Sequence, residues 1–382
     1  MLNPWRVLAL LAATHFLVDI VAGTTNPIWP ALEDNLELAT GGMLWVYVVW
    51  SVSTSFSQLL FGWWADRYPS RWLIWCGPLL GILCISCVGL FDSSIGLAVL
   101  FAVGGLGIAA FHPEAAATAG SLLPEHRSRA MAIFALCGYL GQSAGPVYSG
   151  LVTDQFGLQG LVYGVVWGLP LLLVLSLAFK KVAAPPAHVR ATGRGSLSFQ
   201  ELPLICLLLA VGALRILPAL GVPLALAYIL KAADAPNAVI GAVQSAFMAG
   251  IGVGAIGCAA FVKREWERRV LWIFPLAAAP VMAILSFADG WTLVTLVFTS
   301  GLLLGVTMPV YISYGQQLLP HGQRVASSIT MGVSWGIGGG IVAGAVWICT
   351  RLDSLPSIFG FFAVAALMSG ILCCFLPVPD SK

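Results

Sequence analysis

Charge is what this chain has least of. Only 9% of its 382 residues are Asp, Glu, Lys or Arg, against roughly a quarter in soluble domains. Hydrophobic residues make up 59% and the mean hydropathy is +0.94, so a soluble globular protein is excluded. No nucleophile–base motif, phosphate-binding loop or zinc-helix motif is visible, and the loops are too short to hold a catalytic domain. Enzymatic and receptor functions are therefore not expected, and no cofactor is implied. Nucleic-acid binding has no support, because the few basic residues follow membrane topology. Nine cysteines (76, 84, 87, 137, 206, 258, 349, 373 and 374) all fall within apolar stretches, so no disulfide framework is indicated. Cys84 and Cys87 have C-x-x-C spacing, which in an apolar span reads as packing.

Long apolar runs are what the chain has in abundance. A helix crossing a ~30 Å hydrocarbon core needs ~20 apolar residues. Twelve segments meet that need, near residues 6–30, 42–64, 71–91, 95–120, 130–153, 158–180, 202–229, 237–262, 269–288, 291–316, 326–350 and 355–377. The expected class is all-α integral membrane. The first segment lacks a small-residue cleavage site and reads as a retained helix.

Orientation follows from the basic residues of the short loops. With the N-terminus inside, fifteen Lys and Arg fall on the cytoplasmic side. Only Lys231 and Arg351 fall opposite, and Arg215 stays within an apolar span. The opposite face carries Glu33, Asp34, Glu37, Asp92, Asp154, Asp234, Asp289 and Asp353. Both termini are expected in the cytoplasm, as an even number of crossings requires.

The same punctuation occurs twice, 196 residues apart. Asp19 maps onto Arg215, Pro27 onto Pro223, Pro113 onto Pro309, and Leu122-Leu123-Pro124 onto Leu318-Leu319-Pro320. The chain reads as one bundle built twice, a pattern common in transporters whose halves rock about a central site. One long polar interruption, 181–199, holds Pro185, Pro186, Gly193 and Gly195 and reads as a cytoplasmic linker. The expected organisation is a six-helix bundle over 1–180, the linker, and a second six-helix bundle over 200–382.

Ionisable residues inside spans cost a few kcal/mol and normally face a cavity or one another. His15 and Asp19 lie four apart on the first segment, on one helical face. The fourth carries Phe111-His112-Pro113-Glu114, and the seventh carries Arg215. Counting ~1.5 Å per residue, Asp19 and Arg215 both lie ~20 Å from the cytoplasmic ends. Equal depth and equivalent register make them candidate partners, either as a structural ion pair or as coupling groups. The tenth-segment counterpart keeps Pro309 but replaces the ionisable groups with Tyr311, Tyr314, Gln316 and Gln317. The tyrosines are candidates for cavity lining or for packing.

Two further motifs carry the family resemblance. After the second segment comes Gly62-Trp-Trp-Ala-Asp66-Arg67, followed by Arg71. This resembles the G-x-x-x-D-R loop of the major facilitator superfamily, a cytoplasmic gate motif, with Pro69 where the family usually has glycine. The second copy, Gly257 to Arg269, keeps glycine and positive charge but lacks the acid. The fifth segment holds Gly141, Gly145, Pro146 and Gly150; it is similar to the superfamily's antiporter-associated motif, and equally to a close-packing seam.

His15 and Asp19, the FHPEA string and Arg215 together resemble the fosmidomycin-resistance branch. The resemblance implies the major facilitator fold, twelve helices in two pseudo-symmetric bundles, working as a monomer in a bacterial inner membrane. It implies proton-driven export of a small polar or anionic compound or drug. His15, Asp19, His112 and Glu114 are then the proton-coupling residues and Arg215 a substrate-binding one; the tenth-segment counterpart adds Tyr311, Tyr314 and Gln316 as expected substrate-binding residues. Two alternatives use the same groups. One is proton-symport uptake; the other is divalent metal transport through His15, Asp19, His112 and Glu114, although no resident metal is expected.

Overall fold

The structure is a computed structural model describing residues 3–65, 68, 71–123, 126–180, 201–319 and 328–378. Among the described residues twelve helices are long and apolar enough to cross a membrane, and none forms a strand. We number them α1 (Pro4–Gly23), α2 (Leu44–Ala65), α3 (Leu73–Ser86), α4 (Ser94–Leu122), α5 (Arg127–Phe156) and α6 (Tyr163–Lys180). The second half comprises α7 (Leu202–Ala232), α8 (Asn237–Phe261), α9 (Glu267–Ile284), α10 (Gly290–Leu318), α11 (Ser334–Arg351) and α12 (Ile358–Cys373). Asp66, Arg67 and the linker 181–199 lie outside the described residues.

Local chemistry explains the starts. Asn3 caps α1 by accepting from the Trp5 amide at 3.0 Å, with Pro4 at the first helical position, where a missing N–H costs nothing. Ser93 caps α4 by accepting from the Gly96 amide. The 196-residue repeat is visible in the elements themselves. Helices α4 and α10 each span 29 residues, and both of their ends are 196 residues apart. Gly105 and Gly301 occupy equivalent positions on them. A methyl at Gly105 would lie 2.9 Å from Ser53 Cβ of α2, and one at Gly301 would lie 2.3 Å from the Phe247 carbonyl of α8. Each half therefore presses its fourth helix onto its second through the same small residue. Lipid is as apolar as leucine, so such close backbone approach is a main source of helix association in a bilayer.

The chain groups into two compact units, Met1–Ala191 with Leu230–Ser245, and Thr192–Ile229 with Ala246–Lys382. Leu230–Ser245 groups with the first unit. The reason is local. Both Asp154 oxygens accept from the first amides of α8, Asn237 at 2.9 Å and Ala238 at 2.8 Å. Lys231 Nζ lies 2.8 Å from Asp34 Oδ2.

Within the first unit α1 packs along α5, α3 along α4, and α2 along α4. Its aromatic core includes Trp29 stacked on Phe101 at 4.7 Å, with Tyr47 and Trp50 edge-on to that pair. Glu33, one of the acids on the side opposite the basic loops, is buried. It accepts from the Gly41 and Met43 amides, both at 2.9 Å, and so fixes the loop leading into α2, where Gly41 takes a φ of 83°. Within the second unit α9 packs on α10 and α12. Leu208, Val211, Leu271, Val310, Tyr311 and Cys373 form part of its core.

Candidate functional site

The buried ionisable side chains among the described residues are few: His15, Asp19, Glu33, Glu114 and Arg215. Three elements of the first unit bring an acid and two imidazoles together. Asp19 Oδ2 lies 3.3 Å from His15 Nε2 on the same face of α1. Its Oδ1 lies 3.3 Å from Nε2 of His112 on α4. The third wall is α5, where Phe134 stacks on the His15 ring at 4.1 Å. His15 and His112 also meet edge to face, with ring centres 5.1 Å apart.

The far nitrogens decide the tautomers. His15 Nδ1 contacts the Phe134 carbonyl at 2.8 Å, and His112 Nδ1 contacts the Ile108 carbonyl at 2.8 Å. A carbonyl can only accept, so both rings carry a proton on Nδ1. Both Nε2 atoms then point at one carboxylate. Two neutral Nε2 lone pairs facing carboxylate oxygens would repel, so the arrangement calls for positive charge between them. A proton or a cation placed there would make each contact charge-assisted.

Glu114 is buried on the same helix as His112, two residues on and thus on a different face. Its backbone carbonyl accepts from Thr118 Oγ1 at 2.8 Å. Three of the four expected proton-coupling residues thus converge, and Glu114 stands apart from them.

Arg215 lies in the second unit and is only 2% exposed. Its Nη1 donates to Thr307 Oγ1 at 2.9 Å, and its guanidinium carbon sits 4.2 Å from the centre of the Tyr311 ring. A guanidinium over an aromatic face is held by the ring quadrupole as well as by packing. Asp19 and Arg215 each find partners within their own unit. Tyr311 is fully buried and its hydroxyl donates to the Leu208 carbonyl. The Tyr314 hydroxyl donates to the Pro377 carbonyl at 2.8 Å. Gln316 is half-buried near the end of α10. Its neighbour Gln317 donates to Glu267 Oε2 at 2.7 Å.

Comparison with known proteins places this geometry in a family. The description of the Major Facilitator Superfamily matches residues 11–343. The chain belongs to the major facilitator superfamily. It is 24% identical over 392 aligned positions to the fosmidomycin resistance protein of Escherichia coli (strain K12), covering 98% of this chain and 93% of that one. It is 23% identical to an uncharacterised transporter of this type, YfnC, from Bacillus subtilis (strain 168), with the same coverage. Among solved structures, the superfamily transporter FucP in the outward conformation superposes with a TM-score of 0.68 at 15% identity, covering 97% of this chain and 98% of that one. That likeness supports the fold. The chain is accordingly a multi-pass membrane transporter and not an enzyme.

The superfamily motifs can be located in part. Gly62 sits near the end of α2, where an added methyl would meet only Pro113 Cβ, at 3.9 Å. Arg71 precedes α3, while Asp66 and Arg67 fall outside the described residues. The α5 glycines face α1 and α8. A methyl at Gly141 would lie 2.4 Å from the Phe16 carbonyl, at Gly145 2.5 Å from the Ile20 carbonyl, and at Gly150 2.4 Å from the Asn237 carbonyl. Each contact is with backbone, so the motif acts here as a packing seam.

Sequence reasoning passed over Gly138, one turn before this motif. A methyl there would lie 2.4 Å from His15 Cε1 and 2.8 Å from Asp19 Oδ2. Gly138 therefore holds the space in which the imidazole and carboxylate meet. Its spacing from Gly141 and Gly145, three and seven residues, puts all three on one stripe, which is the signal that was available. We expect Gly138→Ala to fold but to push His15 off Asp19, cutting pH-gradient-driven transport by about tenfold or more, as misplacement by ~1 Å does to a proton-transfer group. Vesicle flux assays on the purified variant check this, with thermal unfolding as the control for folding.

Proposed function

We propose that the chain is a proton-coupled secondary transporter that exports a small polar or anionic organic compound by alternating access. The observation that carries this reading is the buried Asp19 whose two oxygens both face imidazole Nε2 atoms. Such a cluster is stable when loaded with protons and unfavourable when emptied. A transporter driven by a pH gradient needs that property. Histidine is the side chain suited to changing charge in this range.

Arg215 is the complementary seat. Its charge is permanent, and Thr307 and Tyr311 fix its position, so it suits an anionic group on the cargo. Tyr311, Tyr314 and Gln316 add hydroxyl and amide groups from α10. The resemblance to a relative named for fosmidomycin resistance supports a drug or drug-like cargo and outward direction. The excess of basic residues on one side supports cytoplasmic termini in a bacterial inner membrane. A monomer is enough to house both seats.

Purified protein in vesicles with an imposed pH gradient, offered a panel of radiolabelled or fluorescent anions and drugs, tests the proposal. Counterflow of protons against at least one compound is expected. Accumulation together with protons would reverse the direction and assign uptake. A panel in which no flux responds to the gradient would overturn proton coupling.

A further inference from the structure

The His15–Asp19–His112 cluster has a second property that proton coupling does not require. Its ligand-type atoms, two Nε2 and one carboxylate oxygen, all lie within 4.8 Å of one another. The Nε2–oxygen separations are both 3.3 Å, His15 to Oδ2 and His112 to Oδ1. Tetrahedral bonds of ~2.0–2.1 Å set ligand–ligand edges of about 3.3 Å, so the three residues need only a modest inward shift to share one ion. Each Nδ1–H is donated to a backbone carbonyl, Phe134 or Ile108, so a ring whose Nε2 carries no proton offers that nitrogen's lone pair to a metal. That outer hydrogen bond is the usual way a ligating histidine is oriented. Asp19 Oδ1 is buried and makes no hydrogen bond, its approach to His112 Nε2 being a charge contact. His112 leaves 24% of its side chain exposed, which gives an ion a way in.

We propose that His15, Asp19 and His112 form a binding site for a divalent first-row transition ion of the zinc class, and that an ion bound there blocks transport. The electrostatics point the same way. One divalent ion brings the charge of two protons, the number that two Nε2 donors facing one carboxylate accommodate. Two imidazoles and one carboxylate are borderline donors that favour zinc or cobalt over magnesium or calcium. Gly138 keeps the centre open, since any side chain there would occupy the space beside His15 Nε2 and Asp19 Oδ2. Binding itself is independent of the transport reading; only the inhibitory consequence rests on it.

The test uses Co²⁺ with the purified full-length protein, because tetrahedral Co²⁺ absorbs strongly in the visible and octahedral aqueous Co²⁺ barely does. We expect one equivalent to give a tetrahedral band that Zn²⁺ abolishes. In His112→Gln and in the isosteric Asp19→Asn, affinity should fall by more than the ~10–100-fold typical of losing an outer partner. Size-exclusion profiles and unfolding temperature show whether each variant is folded. Wild type with no tetrahedral band, or a band retained in both variants, overturns the site. In vesicles, Zn²⁺ added to wild type should stop gradient-driven flux and should leave residual flux in His112→Gln unaffected. Flux that ignores Zn²⁺ while the Co²⁺ band is present overturns the inhibitory role alone. A clear Co²⁺ band with no proton dependence of any flux would instead refute the coupling proposal and leave the metal site standing.

Discussion

Asp19→Asn should lower pH-gradient-driven transport by about two to three orders of magnitude while leaving the protein folded and able to bind cargo. The substitution keeps the shape of the side chain and removes its charge. Two imidazole Nε2 atoms at 3.3 Å would then face a neutral amide. Removing one partner of a buried ion pair costs ~3–5 kcal/mol, and each ~1.4 kcal/mol is a factor of ten, so the loaded cluster loses a factor of about 10² at the lower end and more than about 10³ at the upper. The penalty falls on the proton-loaded state, and the empty state is spared or even relieved. Coupled transport should fail, whereas exchange of cargo across vesicles without a gradient should survive. The measurement is paired: flux with an imposed gradient, and counterflow at equal pH. A variant that still concentrates cargo like wild type would remove Asp19 from the coupling step. Loss of counterflow as well would show that Asp19 serves binding or folding rather than coupling.

Much of the fold was legible because membrane insertion forces backbone groups to be satisfied within helices. Hydropathy placed eleven of the twelve spans to within about four residues; the first ends at Gly23, short of the expected 30. The spacing of 196 held at both ends of α4 and α10. The first unit's inclusion of Leu230–Ser245 was not legible. It depends on Asp154 reaching the amides of Asn237 and Ala238 across 83 residues or more of chain, and no local pattern records such a contact. The burial of Glu33 was not legible for a related reason. An acid in a loop reads as solvated, and only the fold shows the two amides that bury it.

The candidate site was half legible. His15 and Asp19 could be put together from i, i+4 spacing, and rarity marked His112, Glu114 and Arg215. Rarity cannot say which face each turns. Helical geometry separates residues 112 and 114, and the structure brings only His112 to Asp19. Tyr311 beside the guanidinium had been singled out, but the other groups that touch these side chains, the Phe134 and Ile108 carbonyls around the imidazoles and Thr307 beside Arg215, are backbone atoms or a common residue that carry no mark in a sequence.

The second large effect concerns the α5 seam. Gly145→Leu should prevent recovery of monodisperse protein, and Gly145→Ala should lower stability by about 1–3 kcal/mol, the usual range for an overpacked core. An added Cβ would stand 2.5 Å from the Ile20 carbonyl and 2.7 Å from Gly23 Cα. These are backbone atoms of α1, which cannot rotate aside as a side chain can. The helix must move as a body, and α1 carries both His15 and Asp19. Gly344→Leu in α11 is the control, since that helical glycine is exposed and an added Cβ meets nothing within 4 Å. It carries the same change in helix propensity and bulk without the collision. Fluorescence-detected size exclusion and thermal unfolding separate the two. If Gly145→Leu behaves like Gly344→Leu, α1 and α5 do not meet as described, and the placement of Asp19 opposite His112 loses its support. If Gly145→Ala folds with little loss of stability but transports cargo in the wrong direction, the glycine motif sets direction through more than packing. The backbone contacts argue for the opposite outcome, in which stability and coupled flux fall together, because the seam that holds α1 in the bundle also aims its carboxylate.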